Sequence, residues 1–160
     1  MWESPITCPL KTVDKDWIDY NGHLNMAYYN VLFDQALDHV YDLLGIGVAY
    51  ASSGQGSCFT LEVHVNYLSE LVLDDPVQIN FQLLDHDAKR LHIFEQMFHA
   101  ETGELAATSE QLALHVDMTT RRSAPFPQSV MPDIEALALA HAELEVPEYV
   151  GRVIGIRKSG

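Results

Sequence analysis

Positive charge is scarce in this chain. Nine lysines and arginines stand against 23 aspartates and glutamates in 160 residues, a formal net charge of −14. Such a surface repels polyanions, which excludes nucleic acid and anionic membrane as partners. Cysteine is scarcer still. Cys8 and Cys58 form neither a disulfide framework nor a Cys-x-x-Cys motif, so two reduced thiols in strands are expected. No apolar run approaches the roughly 18 residues of a membrane span. The Met-Trp-Glu-Ser-Pro start lacks the basic region and apolar core of a secretory signal. A cytoplasmic protein is expected. No Gly-x-Ser-x-Gly elbow is present, which removes the serine-hydrolase route. His86, His92, His99, His115 and His141 are scattered without ligand spacing, so no metal and no cofactor are expected. Ser53-Gly-Gln-Gly56 is a lone fragment without P-loop or dinucleotide-binding context.

What is present reads as one domain, with 48% apolar residues and dispersed charge. Met26, Tyr29, Phe33, Leu37, Val40, Tyr41 and Leu44 recur at spacings of three and four, which predicts one apolar helix face over 25–44. Asn25 is a good N-cap and Gly45 a good stop. A short strand is expected at 6–13, and a small, flexible Gly/Ser connection at 46–57. Strands follow at 58–68, with Phe59, Leu61, Val63, Val65 and Tyr67 on one face, then at 77–83, 91–100 and 105–117. Glu62 and His64 fall on the opposite face, toward solvent or a partner. Pro132 opens a short helix over 133–144, and the remainder to Gly160 is a tail. The order is strand, long helix, then four antiparallel strands: α+β, with a sheet around one helix.

The most informative stretch is Trp17-Ile-Asp-Tyr-Asn-Gly-His-Leu-Asn-Met-Ala27. Asp19, Asn21 and His23 alternate just ahead of the helix, whose first-turn N–H groups and positive dipole end suit a developing oxyanion. Asp-Tyr-Asn-Gly is also ordinary turn chemistry. The conjunction of carboxylate, amide and imidazole beside an N-cap turns the reading toward a site. Trp17, Tyr20, Tyr28, Tyr29 and Tyr50 concentrate aromatics around it. They can line a pocket or cage a quaternary ammonium, or serve as plain core.

Asp19-Tyr-Asn-Gly-His-Leu-Asn25 resembles the Asp-x-Asn-x-His-[Val/Leu]-Asn run of the acyl-ACP thioesterases. It also fits the looser Asp-x-x-Gly signature of 4-hydroxybenzoyl-CoA-type thioesterases. Asn66-Tyr-Leu-Ser-Glu70 with Asp74-Asp-Pro-Val77 is similar to the family's second strand and acidic turn. His115-Val-Asp117 and Arg121-Arg-Ser-Ala-Pro-Phe-Pro127 are similar to its last strand and the Arg…Pro tail. Thioesterases fused to carnitine dehydrogenases carry a similar Trp-x-Asp-Tyr-Asn-Gly-His run. The resemblance covers about residues 6–130 and implies a single hot-dog thioesterase domain over 1–160, with residues 131–160 as a C-terminal helix and tail.

The resemblance also implies the chemistry. A thioester carbonyl is weakly stabilised by resonance and its thiolate leaves readily, so a carboxylate and backbone donors suffice. Asp19 is then base or nucleophile, Asn21 and His23 orient water or the carbonyl, and the Met26 N–H is the oxyanion donor. Glu70 stands where some relatives have a second catalytic carboxylate. Asp34 and Asp38 on the helix are lower-ranked alternatives to Asp19. The substrate implied is a small or medium acyl-CoA, a betainyl-type thioester among the candidates. Arg121–Arg122 and Lys89–Arg90 are the cation pairs available for the nucleotide phosphates. A homodimer or homotetramer with the site between subunits is implied. Two rival activities are weighed. A hot-dog enoyl-CoA hydratase would need Asp-x-Asn-Pro-x-His, but Gly22 replaces the proline and His23 is one residue early. A non-catalytic acyl-CoA sensor would normally carry a DNA-binding appendage.

Overall fold

The computed structural model describes residues 1–156, so the last four residues of the expected tail lie outside it. The long helix, α1, runs Met26–Leu43, and the Asn25 side chain accepts from the Ala27 N–H at 3.0 Å as its N-cap. Tyr29, Phe33, Leu37, Val40 and Tyr41 are buried with Leu32 and Ala36 between them. Each such side chain contributes about 1.5–3 kcal/mol when removed from water. Met26 departs from the expected stripe: at the first helical position it is 65% exposed.

Around α1 wraps one antiparallel sheet in the order β1-β4-β5-β6-β3. Its long members are β3 (Gly56–Tyr67), β4 (Pro76–His86), β5 (Arg90–His99) and β6 (Leu105–Asp117). On β4, Val77, Ile79, Phe81 and Leu83 point inward as their alternation predicts, all buried. This is the hot-dog architecture the resemblance implies. Among the described residues, no helix is long and apolar enough to cross a membrane.

Three local expectations are corrected. The strand over 6–13 is two short pieces on β4, β1 (Ile6–Thr7) and β2 (Lys11–Thr12). Between them the Cys8 N–H still donates to Ile79 O at 2.9 Å, but Pro9 has no N–H with which to continue. The connection 46–57 contains a short helix, α2 (Val48–Ser52). It starts because Asp42 Oδ1 accepts the Val48 N–H at 3.2 Å, a cap supplied from the end of α1. Third, β3 has a bulge between Thr60 and Glu62. Residues directly opposite share a face. Val63 lies opposite Gln111, which lies opposite the buried Ile93, whereas Phe59 lies opposite Leu114 and Arg90. Val63, Val65 and Tyr67 therefore face α1, and Phe59 faces outward with Glu62 and His64.

Beyond β6, the two-residue β7 (Arg122–Ser123) pairs with its end. The last helix, α3 (Met131–His141), sets Ile134, Leu137 and His141 against β4. His141 Nδ1 accepts the Leu83 N–H and its Nε2 donates to Glu3 O, both at 2.9 Å. Burial pushes this imidazole's pKa down. The chain then crosses the outer face of the sheet. Gln82 Nε2 donates to Glu145 O, and the Gly151 N–H donates to Glu110 Oε2 at 2.7 Å.

Candidate active site

The segment before α1 is a closed loop held by its own backbone. Ile18 bridges Leu24, the Asp19 N–H donates to His23 O at 2.9 Å, and the Gly22 N–H donates to Asp19 O at 3.0 Å. Gly22 has φ +84°, which L side chains rarely adopt. The turn is completed by Asp19 itself, whose Oδ1 accepts the Asn21 N–H at 2.8 Å. One carboxylate oxygen thus fixes the loop, and Oδ2 is left for other work. Two further bonds tie the loop down: Leu24 N–H to Leu71 O at 2.7 Å and Asn25 N–H to Trp17 O at 2.9 Å.

The exit of β3 lies across from this loop. Tyr67 donates its hydroxyl to Met26 O at 3.1 Å, and Tyr29 donates to Ser69 O at 3.2 Å. The two rings meet edge-to-face at 5.1 Å. Burial pushes both phenol pKa values up, so they act as donors and not as bases. His23 Nε2 meets Glu70 Oε2 at 3.1 Å, joining residues far apart in the chain. Asp19, His23, Met26 and Glu70 together line a cleft of about 320 Å³, with Tyr29 and Tyr67 on its wall. At the mouth, Met26 is the first residue of α1. Asn25 takes the N–H of Ala27 with its side chain and that of Tyr28 with its carbonyl, not that of Met26. The cleft therefore combines a carboxylate oxygen, an imidazole held by a second carboxylate, and a first-turn N–H at the positive end of a helix.

Other residues singled out from the sequence lie elsewhere. Asn21 contributes its backbone to the turn. Tyr20 is 98% exposed. Trp17 stacks on Tyr28 at 5.7 Å and packs against the core, outside the cleft. Tyr50 is on α2, its hydroxyl 3.0 Å from His115 Nε2. Gly56 passes directly beneath this pair, and a Cβ there would sit 2.6 Å from that nitrogen. Asp34 and Asp38 are exposed along α1 and do not line the cleft. Arg121 and Arg122 follow β6 at the end where Asp117 pairs with Gly56, whereas the cleft lies where Ala107 pairs with Tyr67. At a strand's rise that separation is about 30 Å. Within one chain, the arginines and the cleft are not brought together. Burial pushes both cysteine thiols up to about 12, which leaves them inert as nucleophiles.

The pairing of His23 with Glu70 and the tyrosine wall were missed from sequence. Tyr29 is among the aromatics expected around the site, but Tyr67 reads only as strand, and their meeting depends on how β3 crosses the start of α1. A larger hollow of about 520 Å³ lies on the outer face, lined by Glu62, His64, His92 and Glu110 among others. His92 Nε2 is 2.8 Å from Glu110 Oε1 there.

Comparison with known proteins finds thioesterases. A betainyl-CoA thioesterase of Pseudomonas aeruginosa is 45% identical over 141 residues, 88% of this chain and 89% of that one. A two-function L-carnitine dehydrogenase/betainyl-CoA thioesterase of Rhizobium meliloti is 36% identical over 94% of this chain, which spans 31% of that protein. A Staphylococcus aureus protein solved in complex with CoA superposes with a TM-score of 0.89 at 31% identity, covering 98% of this chain and 99% of that one. The family model of the thioesterase-like superfamily matches residues 13–134, from just before the Asp19 loop into α3. With the loop, the helix mouth and the four long strands all inside that span, the chain belongs to the thioesterase-like superfamily.

Proposed function

We propose that this acyl-CoA thioesterase hydrolyses a small, permanently cationic acyl-CoA, betainyl-CoA being the first candidate, and that Asp19 carries the reaction. The observation that carries the mechanism is the convergence of Asp19, the His23–Glu70 pair and the start of α1 on one cleft. The thioester oxygen accepts from the Met26 N–H, where the helix dipole favours the charge that develops in the transition state. Asp19 Oδ2 removes a proton from the attacking water, or attacks the carbonyl carbon itself. His23, held by Glu70, orients the water or the carbonyl, and Asn21 keeps the Asp19 carboxylate in position. The thiolate of CoA then leaves without needing strong protonation. The substrate is inferred from the name of the Pseudomonas aeruginosa relative, and the acidity of this chain suits a cationic acyl group.

Two copies are proposed to join along β3. This edge strand is 12 residues long, and Leu61, Val63 and Tyr67 are exposed on it. An unpaired apolar edge is a template for another strand. In a two-fold antiparallel pairing the Gly56 end of one β3 lies beside the Tyr67 end of the other. Arg121 and Arg122 of one subunit would thereby approach the cleft of its partner and meet the nucleotide phosphates there. A dimer, or a dimer of such dimers, follows, and two unpaired cysteines suit a cytoplasmic location.

Free-thiol release from a panel of acyl-CoA thioesters tests the function. Betainyl-CoA should give the highest kcat/KM, and enoyl-CoA hydration should be absent. A panel in which no thioester is cleaved ends the reading. A best substrate with a long neutral acyl chain keeps the activity but removes the proposed substrate.

A further inference from the structure

Glu95 sits in the middle of β5 at 0% exposure. On the inner face it lies opposite Phe81 on one side and Ser109 on the other. No lysine, arginine or histidine pairs with it among the described residues. Burial pushes its carboxyl pKa well up, a hydrogen bond from Gln111 opposes this, and the charge of Asp34 adds to it. Oε1 has no hydrogen-bond partner, nor has the Ser109 hydroxyl beside it. An ionisable group placed this way is expensive for the fold.

Gln111 connects this carboxyl to a surface. Its Nε2 donates to Glu95 Oε2 at 2.7 Å, and Gln111 also lines a groove of about 330 Å³ between α1 and β3. The other lining residues are Asn30, Val31 and Asp34 of α1 with Thr60 and Val63 of β3; none is cationic. The groove lies next to the cleft along α1 and β3, the two sharing no lining residue. Asn30 lies one helical turn, about 5.4 Å, beyond Met26, whose carbonyl accepts the hydroxyl of Tyr67 on the cleft wall. A short acyl group whose carbonyl is held at Met26 therefore projects its far end toward this groove. A trimethylammonium offers no N–H and cannot be recognised by directional hydrogen bonds. Field and apolar contact remain, and a carboxyl behind a thin protein wall acts through a lower effective dielectric than water does.

We propose that Glu95, with Gln111 between it and the groove and Asp34 at the rim, sets the enzyme's preference for a positively charged acyl group. The proposal rests on the cationic-substrate reading above. Burial disfavours the ionised form of Glu95, whereas a cation in the groove and the hydrogen bond from the Gln111 amide both favour it.

The test compares betainyl-CoA with its neutral isostere 3,3-dimethylbutanoyl-CoA, in which carbon replaces the ammonium nitrogen. The readout is the ratio of their kcat/KM values in wild type, Glu95→Gln and Glu95→Met, each checked for folding by its melting curve. Wild type should favour the cation. The ratio should fall about tenfold or more in the neutral variants, the scale of one desolvated charge interaction. Glu95→Met keeps the test open if Glu95→Gln does not fold. A wild-type preference for betainyl-CoA that survives both variants overturns this proposal and leaves the substrate reading standing. A wild type that favours the neutral isostere overturns both.

Discussion

On the β4 side of the sheet the edge is covered by the chain itself. β1 and β2 pair with β4, α3 lies on it, and both His141 nitrogens are bonded to main chain. On the β3 side, twelve residues run with only β6 beside them, and apolar side chains stand open to solvent. The groups free to do chemistry lie on that open side: Asp19, the exposed His23–Glu70 pair, and the groove below Asp34. The closed edge is tied into the fold, and the open edge holds the groups to which the proposed function assigns binding, hydrolysis and assembly. The division predicts that mutations on the two sides separate activity from stability.

The largest effect is expected at Asp19. Asp19→Asn keeps an oxygen for the Asn21 N–H but removes charge and basicity. kcat/KM should fall by roughly 10²–10⁴, with the melting temperature nearly unchanged. A variant that melts early but keeps its specific activity would instead make Asp19 a turn residue and dissolve the division. On the closed side, Leu137→Ala opens a cavity under α3 and should cost about 2–5 kcal/mol in chemical denaturation. The folded fraction should turn over at the wild-type rate. If it does not, α3 reaches the cleft in a way the two-sided picture lacks.

Val63→Lys tests the open edge as an interface. Two-fold pairing would bring ammonium groups from both copies into a desolvated seam, so sedimentation should show monomers. An unshifted oligomer would move the interface elsewhere. A smaller effect is expected for Arg121→Ala: a raised KM for the CoA thioester with kcat nearly intact, the mark of lost uniform binding. Equal loss on a thioester lacking the nucleotide would count against the phosphate contact. The least effect concerns His141. Its pKa is lower in the folded chain than in the unfolded one, so the unfolded state takes up the proton first. The stability it supports is intact above about pH 6.5 and is lost as the pH falls through the folded value. His141→Gln should flatten that part of the stability–pH curve, and an unaltered curve would assign the acid sensitivity to another group.

Much of this was legible because local chemistry and global fold agree. Asn25 caps and Phe33, Leu37 and Val40 bury as their spacing requires; β4 alternates and pairs as its spacing requires. The Asp19 loop was legible too, since its turn is closed by neighbours in sequence. What escaped depends on distant partners. The bulge beside Leu61 changes the face of every later residue of β3, and a single apolar run carries no mark of it. α2 is started by Asp42 from another helix. The His23–Glu70 pair spans the loop and the strand exit. The depth of Glu95 is set by strands distant in sequence, and its neighbours along the chain say nothing of it. The position of Arg121 and Arg122 relative to the cleft depends on the length of β6 and, in the proposed dimer, on a second copy, neither of which a motif encodes.

The segment that crosses the outer face has a consequence for biosynthesis. Gln82 and Glu110 flank Phe94 across three neighbouring strands, and their bonds to Glu145 and Gly151 come from residues made after the whole sheet. A chain emerging from the ribosome completes its strands and inner core first, with Phe94 still wet on the other face. For the time it takes to make and release some thirty further residues, the nascent sheet is sticky on that side. Chaperone engagement and co-translational aggregation should concentrate in that interval and end when the segment is laid across.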